Sequence, residues 1–125
     1  MTDTLGIVLR VRVHRANVAD SRGAKRVLAT LKPSFERLKY VWADRAYRGT
    51  LVEWAQRELL LTLHIVAKPD GAPAYVPLPR RWVIERTFAW LGRYRRLVKD
   101  YERRPSVSAA FIYIASIRRL ACLCA

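Results

Sequence analysis

The sequence predicts an α/β fold in which a mixed sheet is flanked by helices, and three observations support this class. Short apolar runs of strand length alternate with longer segments that repeat apolar residues at helical spacing. Segments rich in proline and glycine separate some of these runs. Apolar residues make up 52% of the 125 residues, which is a globular composition. We therefore expect one domain over residues 1–125.

The first half of the chain alternates predicted strands and helices. Apolar and basic residues alternate from Leu9 to His14, which predicts a half-buried strand. We expect Asp20 or Ser21 to cap a helix that Pro33 ends or bends. The run YVWA at 40–43 has the length of a buried strand.

The second half continues the pattern and then becomes helical. Thr50 is expected to cap a helix over TLVEWAQRELL, and LTLHIVAKP is expected to form a strand that allows some parallel pairing. DGAPAYVPLP at 70–79 reads as a loop. Residues 80–104 predict one long helix, and a second helix is expected after Pro105.

Charge is the strongest compositional signal. The chain has 24 Lys and Arg against 10 Asp and Glu, a formal net charge of +14. Such an excess attracts polyanions, so nucleic acid is the first candidate partner, although ribosomal, chromatin-like and membrane-surface proteins share this property. The longest apolar run, 109–115, is too short to cross a bilayer, and we expect no membrane partner. Cys122 and Cys124 are expected to pack or to lie at a frayed end, without a disulfide or zinc role.

Asp44 is the first candidate for chemistry. It ends the run KYVWAD, so it is expected at the carboxyl end of a strand, where open α/β sheets bind ligands. The alternative is an exposed aspartate that caps the following turn.

Glu85 is the second candidate. On one continuous helix, at about 100° per residue, it shares a narrow stripe with Arg81, Ala89, Gly92, Arg96 and Lys99. The opposite side would carry an apolar face of Val83, Trp90, Tyr94, Leu97, Val98 and Tyr101. The alternative is an ordinary exposed ion pair between Arg81 and Glu85. Carboxylates that converge from a strand end and a helix are the oxygen ligands that divalent-metal phosphoryl chemistry needs.

Several further side chains have an open role. Trp82, Phe88 and Trp90 flank Glu85 and could stack on bases, but core packing is the favoured interpretation. His14 and His64 have no partner acid or cysteine at ligand spacing, so no metal is assigned to them. The segment SAAFIYIASI predicts a buried helix or an intersubunit face.

Four segments carry a resemblance to a known family. They are WADRAYRG, the glutamate block RRWVIERTFAWLGRYRRLVKDYE, the opening DTLGIVLRVRVHRANVADSRGAK and the ending AAFIYIASIRRL. Together they resemble the catalytic core of bacterial insertion-sequence DDE transposases of the type grouped with insertion sequence five. The resemblance covers essentially the whole chain.

The resemblance implies a fold, a reaction and cofactors. The fold would be ribonuclease H-like, and three acids would bind two Mg²⁺ or Mn²⁺ ions. Such proteins hydrolyse DNA at transposon ends and join the freed 3′ hydroxyl to target DNA. By position, Asp44 matches the second acid and Glu85 the third.

The resemblance also implies partners and DNA contacts. Arg81 matches a position expected to contact DNA, and we expect further DNA contacts at Arg45, Arg48, Arg93, Arg96 and Lys99. DNA is the expected partner, with full-length or upstream-frame transposase and a homodimer as further ones. The expected location is the bacterial cytoplasm, in association with the nucleoid.

The chain departs from the family pattern at several positions. Leu78 stands where a tyrosine is expected, and Gly92 stands where a lysine is expected, with Arg93 beside it. The first acid is expected on a strand upstream of the DTLG turn, and Asp3 does not match it. We therefore expect an N-terminally truncated catalytic domain that also lacks the helix-turn-helix region, and whose strand at 6–14 is left at a sheet edge.

Three interpretations stay open. In the favoured one, the chain is the carboxyl-terminal part of a transposase, a remnant or a second reading frame, and is inactive alone. In the second, Asp3 or a partner chain supplies the missing acid. In the third, the chain is a basic DNA-binding protein that co-assembles with full-length transposase or inhibits it.

Overall fold

The computed structural model describes residues 1–68, 71 and 80–125, and the chain divides into two compact units. The sheet unit comprises Ala16–Arg80, and the helical unit comprises Met1–Arg15 with Arg81–Ala125. Of the expected loop at 70–79, only Gly71 lies within the described residues, and Leu78 lies outside them.

The elements alternate in the sheet unit and are helical in the other. The helices are α1 (Asp20–Leu31), α2 (Thr50–Leu59), α3 (Arg81–Leu91), α4 (Arg95–Val98) and α5 (Pro105–Cys124). The strands are β1 (Tyr40–Asp44) and β2 (Thr62–Val66), and 3₁₀ turns follow α1 at Lys32–Ser34 and β1 at Arg45–Tyr47.

The sheet has two parallel strands. Tyr40 pairs with Thr62 at one end, and Asp44 pairs with Val66 at the other. A parallel pair needs a crossover connection, and α2 supplies it. This arrangement confirms the α/β class with parallel pairing, and it fits a ribonuclease H-like domain.

The core of the sheet unit lies between the two helices and one face of the sheet. Its buried side chains are Leu28 and Leu31 of α1, Leu51 and Ala55 of α2, and Leu61 and Leu63 at β2. The expectation that the run at 40–43 is buried was wrong, because burial alternates along β1 and leaves Tyr40, Trp42 and Asp44 exposed. Val41 and Ala43, on the other face of β1, are half-buried.

Both predicted helices of this unit form, but their caps differ from the prediction. Asp20 is the first residue of α1 and Ala19 is its N-cap, while α2 begins at Thr50 with Gly49 as its N-cap. Neither cap uses a side-chain hydrogen bond. Asp20 instead places a carboxylate in the first turn, where the helix dipole favours it. The 3₁₀ turn that contains Pro33 ends α1, as predicted.

The predicted strand from Leu9 to His14 does not form. In the described chain, the only pairing near it is an isolated antiparallel bridge between Thr2 and Val8. Other groups satisfy its backbone: the N–H of Leu9 donates to the carbonyl of Met1 at 3.0 Å, and the N–H of Val11 donates to the hydroxyl of Tyr113 at 3.0 Å. Alternation predicts which face can be buried, but a strand also needs a partner strand to accept its hydrogen bonds.

The predicted long helix at 80–104 is interrupted. α3 ends at Leu91, and the N–H groups of Gly92, Arg93 and Tyr94 close the end of the helix on preceding carbonyls. The stripe therefore holds only for Arg81, Glu85 and Ala89, and the continuous apolar face was wrong as well. Val98 is 70% exposed. Glycine at position 92 lowers helix propensity by about 1 kcal/mol relative to alanine, which favours a break there.

Helix α5 forms where it was predicted and packs through small residues. Ser108, Ala115 and Ser116 are buried, whereas Ile114 and Ile117 are more than half exposed. The helix is therefore buried only in part, and the alternative of an intersubunit face stays a prediction. Cys122 and Cys124 are free and exposed near its end. By length and composition alone, α5 is long and apolar enough to cross a membrane, whereas the apolar run at 109–115 was judged too short to do so. One such helix is weak support for a membrane span.

Candidate active site

Asp44 lies at the carboxyl end of β1, as predicted, and its side chain is exposed. Its Oδ1 accepts a hydrogen bond from the N–H of Ala46 at 3.0 Å, so the carboxylate caps the 3₁₀ turn at Arg45–Tyr47. Within the described chain, no donor reaches Oδ2. The capping role that the sequence left open is therefore present, and one carboxylate oxygen stays available for a ligand.

Tyr47 is half-buried beside two carboxylates. Burial of its ring raises the pKa of the hydroxyl above its usual 10.0, and the negative charges of Asp20 and Asp44 raise this pKa further. The first turn of α1 therefore brings a second acid, Asp20, to the same tyrosine that Asp44 influences. From the sequence, Asp20 was expected only as a candidate helix cap.

Aromatic rings cover the exposed face of the sheet that ends at Asp44. The ring of His64 lies 5.5 Å from that of Tyr40 and 5.7 Å from that of Trp42, and the latter pair is stacked. The guanidinium carbon of Arg80 lies 3.6 Å from the Trp42 ring centroid. This surface combines π faces with a cation, a combination that suits contact with bases. His64 thus has ring neighbours, which its isolated position in the sequence did not indicate.

Arg45 and Arg48 are two of the predicted DNA contacts, and they lie one and four residues after Asp44. Both are exposed, and neither forms an ion pair with a carboxylate of the described residues. Their charges are therefore available to an anion near the end of the strand.

Glu85 lies on α3 and forms the ion pair that the sequence offered as an alternative. Arg81 Nε donates to Glu85 Oε1 at 2.9 Å, and both side chains are about two-thirds exposed. No donor in the described part of the chain reaches Oε2 of Glu85. Because Asp44 belongs to the sheet unit and Glu85 to the helical unit, the predicted common rim for the two acids stays a prediction.

The other predicted basic contacts lie beyond the break in α3. Arg93 is exposed at the break, and Arg96 reaches Glu102 with a nitrogen–oxygen distance of 3.4 Å. The Nζ of Lys99 lies 5.4 Å from the ring of Tyr101. Arg96 and Lys99 therefore do not continue the stripe that contains Glu85. Their contact with DNA stays a prediction.

The sequence interpretation placed three aromatic residues of α3 in the core, which is wrong for two of them. Trp82 is 54% exposed and Phe88 is 67% exposed, while Trp90 is half-buried. Val83 and Thr87 face the interior in their place. Val83 and Thr87 are four residues apart and therefore lie on the same face of α3, which is the buried one. Thr87 can be buried because backbone carbonyls lie within hydrogen-bonding distance of its hydroxyl.

A cluster of arginines against tryptophans was missed by the sequence analysis. Arg86 lies 4.2 Å from the ring of Trp82 and 4.8 Å from that of Trp90, and Arg119 lies 3.8 Å from the ring of Trp90. The sequence signal for this cluster was the pair of arginines at 118–119 in an otherwise apolar segment. Core packing does not explain two charged side chains at these positions.

The donor groups of the two candidate acids suit a divalent metal ion. Asp44 and Glu85 each offer a carboxylate oxygen that suits Mg²⁺ or Mn²⁺. The described residues contain no group of three or more His, Cys, Asp or Glu side chains that could hold an ion. The two acids therefore fit a metal site as ligands without completing one.

A carboxylate at a strand end, a glutamate on a helix and a net charge of +14 are features expected of an α/β domain that acts on nucleic acid. Comparison with known proteins agrees with this class. The family model described as "Transposase DDE domain" matches residues 1–120. The chain belongs to this family.

One curated relative was also found. A Burkholderia cepacia protein assigned as a transposase for insertion sequence element IS402 is 30% identical over 123 residues, a match that covers 90% of this chain and 56% of the relative. The chain thus spans about half the length of that relative. No solved structure matches the chain.

Proposed function

We propose that these residues form the carboxyl-terminal part of a ribonuclease H-like catalytic domain that acts in DNA transposition. The reaction is the cleavage of transposon ends and their joining to target DNA by metal-dependent phosphoryl transfer. Family membership supports transposition by a DDE transposase.

The position of Asp44 carries the proposal. A carboxylate that ends a parallel strand, is exposed and leaves one oxygen without a described donor is placed where α/β sheets bind ligands. Capping of the 3₁₀ turn fixes the orientation of the carboxylate before any ligand arrives. A preorganised ligand loses less conformational entropy on binding.

Glu85 is proposed as the third acid of the family, with Asp44 as the second. Its ion pair with Arg81 holds the glutamate extended along α3, and Arg81 can exchange this carboxylate for a DNA phosphate when DNA arrives. Since both side chains are about two-thirds exposed, the exchange costs only a few tenths of a kcal/mol.

Asp44 and Glu85 would hold divalent metal, Mg²⁺ or Mn²⁺, and two ions are proposed for the complete site. Bound metal would activate the attacking hydroxyl and stabilise the leaving oxygen. The protein residues orient the strand: Arg45 and Arg48 lie next to Asp44 in the chain, and Arg81 lies on α3 with Glu85. Arg93, Arg96 and Lys99 are proposed to contact the DNA backbone further along the chain.

We propose that these 125 residues do not cleave DNA by themselves. The family reaction uses three acids, and the described residues bring no three potential ligands together. A third carboxylate from full-length transposase, from the product of an upstream frame or from a second copy in a homodimer would complete the site. The proposed location is the bacterial cytoplasm, on the nucleoid.

The test is a nicking assay on a transposon-end duplex. The chain alone, with Mg²⁺ or Mn²⁺, is expected to leave the duplex intact, while full-length transposase of the same element is expected to nick it. The matched substitutions Asp44→Asn and Glu85→Gln, made in that full-length protein, are expected to abolish nicking without loss of DNA binding. Nicking that survives both substitutions would exclude the assigned acids.

A second candidate function is supported by the charge. With a net charge of +14 and exposed Arg45 and Arg48 without described ion pairs, the chain could act as a non-catalytic DNA-binding fragment that co-assembles with full-length transposase and inhibits it. This function predicts a dose-dependent loss of nicking when the chain is added to the full-length protein. It also predicts that the logarithm of the DNA-binding constant falls with the logarithm of the salt concentration, with a slope of about −0.9 per neutralised phosphate.

A further inference from the structure

The helical unit contains a cleft whose charges have no acidic counterpart. It has a volume of about 270 Å³ and lies where the end of α3 meets α5. Three of its lining residues are arginines, namely Arg93, Arg118 and Arg119. No aspartate or glutamate of the described chain lines it. A cleft with three cations and no anion of its own is electrostatically incomplete.

Aromatic side chains fix two of these arginines. The guanidinium carbon of Arg119 lies 3.8 Å from the ring of Trp90, and that of Arg118 lies 5.8 Å from the ring of Tyr94. The hydroxyl of Tyr94 donates to the carbonyl of Ala115 at 3.3 Å, which ties the ring to α5. Arg119 is therefore packed on an aromatic ring and loses less freedom when it binds an anion, while Arg118 lies near the outer limit of a cation–π contact.

Arg119 also has unused hydrogen-bonding capacity. Its Nε is fully buried and has no hydrogen-bond partner among the described residues. Because buried polar groups are almost always bonded, this donor gains a partner if the side chain turns toward an acceptor in the cleft. Arg93 adds a further cation at the break after Leu91, where the chain leaves α3.

The end of α3 works against an anion, but weakly. A helix carboxyl terminus carries about half a negative charge, and here the N–H groups of Gly92, Arg93 and Tyr94 already bond the preceding carbonyls. Three full positive charges exceed this effect.

We propose that this cleft binds a phosphodiester of the DNA backbone. A planar guanidinium fork matches two phosphate oxygens, and arginines stacked on aromatic rings are well suited to that geometry. Neither Asp44 nor Glu85 lines this cleft, and the proposal rests on the DNA partner named under the proposed function. It adds Arg118 and Arg119 to the DNA-binding residues and gives Arg93 a defined place.

Cys122 lines the cleft and provides a chemical probe, and Cys124 provides its control because it is exposed but does not line the cleft. The experiment compares two single-cysteine proteins, made with Cys124→Ser and Cys122→Ser, in the presence of a maleimide. A short duplex oligonucleotide is added in a metal chelator. DNA is expected to slow the modification of Cys122 and to leave that of Cys124 nearly unchanged. Equal effects on both cysteines, or no effect on Cys122, would overturn the proposal.

Two arginine variants localise the effect to the cleft. The triple variant Arg93→Gln, Arg118→Gln, Arg119→Gln is expected to bind DNA roughly tenfold more weakly than a control triple at Arg95, Arg103 and Arg104, because each lost phosphate contact is a hydrogen bond between charged groups. The control removes the same charge from exposed positions of the same unit. Equal weakening in both triples would show that only net charge matters and would overturn the site.

Folding and catalysis are controlled separately. Circular dichroism checks that the triple variants are folded. The Arg118→Lys, Arg119→Lys variant keeps the positive charge but removes the planar guanidinium groups. It is therefore expected to lose part of the protection of Cys122 by DNA. Full protection in this lysine variant would contradict the proposed geometry. Protection is also expected in the Asp44→Asn, Glu85→Gln variant, so failure of the catalytic proposal and failure of the cleft are distinguishable.

Discussion

The side chain of Thr87 packs directly against the backbone of Gly6. The buried hydroxyl of Thr87 donates to the carbonyl of Gly6 at 3.0 Å, and the same oxygen lies 2.9 Å from the carbonyl oxygen of Val83. The backbone of Gly6 has a φ of +87, and a Cβ placed there would lie 2.7 Å from the hydroxyl of Thr87. This contact joins the amino-terminal segment to α3 within the helical unit.

Replacing Gly6 by alanine is expected to destabilise the helical unit. The left-handed backbone costs an L-residue about 1–2 kcal/mol, and the Cβ would also collide with Thr87 and with the Trp90 ring at 3.1 Å. Overpacking of this kind adds about 1–3 kcal/mol. Chemical denaturation of the Gly6→Ala protein, followed by tryptophan fluorescence, measures the loss.

Gly49→Ala is the matched control for that substitution. Gly49 has the same φ of +87°, but apart from its chain neighbours no atom of the described residues lies within 4 Å of its Cβ position. The Gly49→Ala substitution is therefore expected to cost only the backbone strain, about 1–2 kcal/mol as for Gly6. If the Gly49 variant loses as much stability as the Gly6 variant, the close approach of Thr87 is not the cause.

The sequence predicted the parts of the fold that depend on local pattern. Helices α1, α2 and α5 and strands β1 and β2 all lie where periodicity and proline placed them, because each has a clear apolar face or run. The strand from Leu9 to His14 failed because a strand depends on a partner that the pattern cannot supply. The long helix failed because a continuous helical pattern does not reveal that Gly92 ends it.

The candidate site was predictable to the same extent. Asp44 was placed correctly because strand ends can be read from a single sequence, and the Arg81 pair of Glu85 follows from four-residue spacing. The arginines of the cleft were missed, since their meaning comes from the packing of α5 against the end of α3. No local pattern encodes that packing.

The pH dependence of stability is expected to reveal Tyr47. Because burial, with Asp20 and Asp44, raises its pKa above 10.0 in the folded protein, the folded state holds this proton more tightly than the unfolded state. Its contribution to stability is therefore fully present below pH 10.0 and is lost as the pH rises through the raised pKa.

Tyrosinate absorbance of the wild type minus that of Tyr47→Phe gives the titration of this residue alone. Asp44→Asn is expected to move the difference curve toward lower pH, but not back to the ordinary value, because burial is the largest cause of the shift. A curve that does not move on this substitution would show that the Asp44 charge does not reach the hydroxyl.

Asp44 offers a separation of structure from chemistry. Asparagine keeps an oxygen that can accept the hydrogen bond from Ala46, whereas alanine removes it. We expect Asp44→Asn to leave the free energy of unfolding within about 0.5 kcal/mol of the wild type and Asp44→Ala to cost about 1 kcal/mol. Urea denaturation of both variants measures this difference, and equal stability of the two would mean that the cap contributes nothing.

Glu85 is expected to be dispensable for stability. Its pair with Arg81 is exposed on both sides and spans one helical turn, so it contributes only about 0.3–0.5 kcal/mol. Glu85→Gln and Arg81→Gln should each lower the free energy of unfolding by no more than this amount. The double variant should lose no more free energy of unfolding than either single variant, because the same ion pair is broken in all three. A double-mutant cycle by urea denaturation at low and high salt measures the coupling. A coupling energy above about 1 kcal/mol that persists at high salt would mean that Glu85 is a structural residue. A loss of nicking in Glu85→Gln could then not be assigned to metal binding.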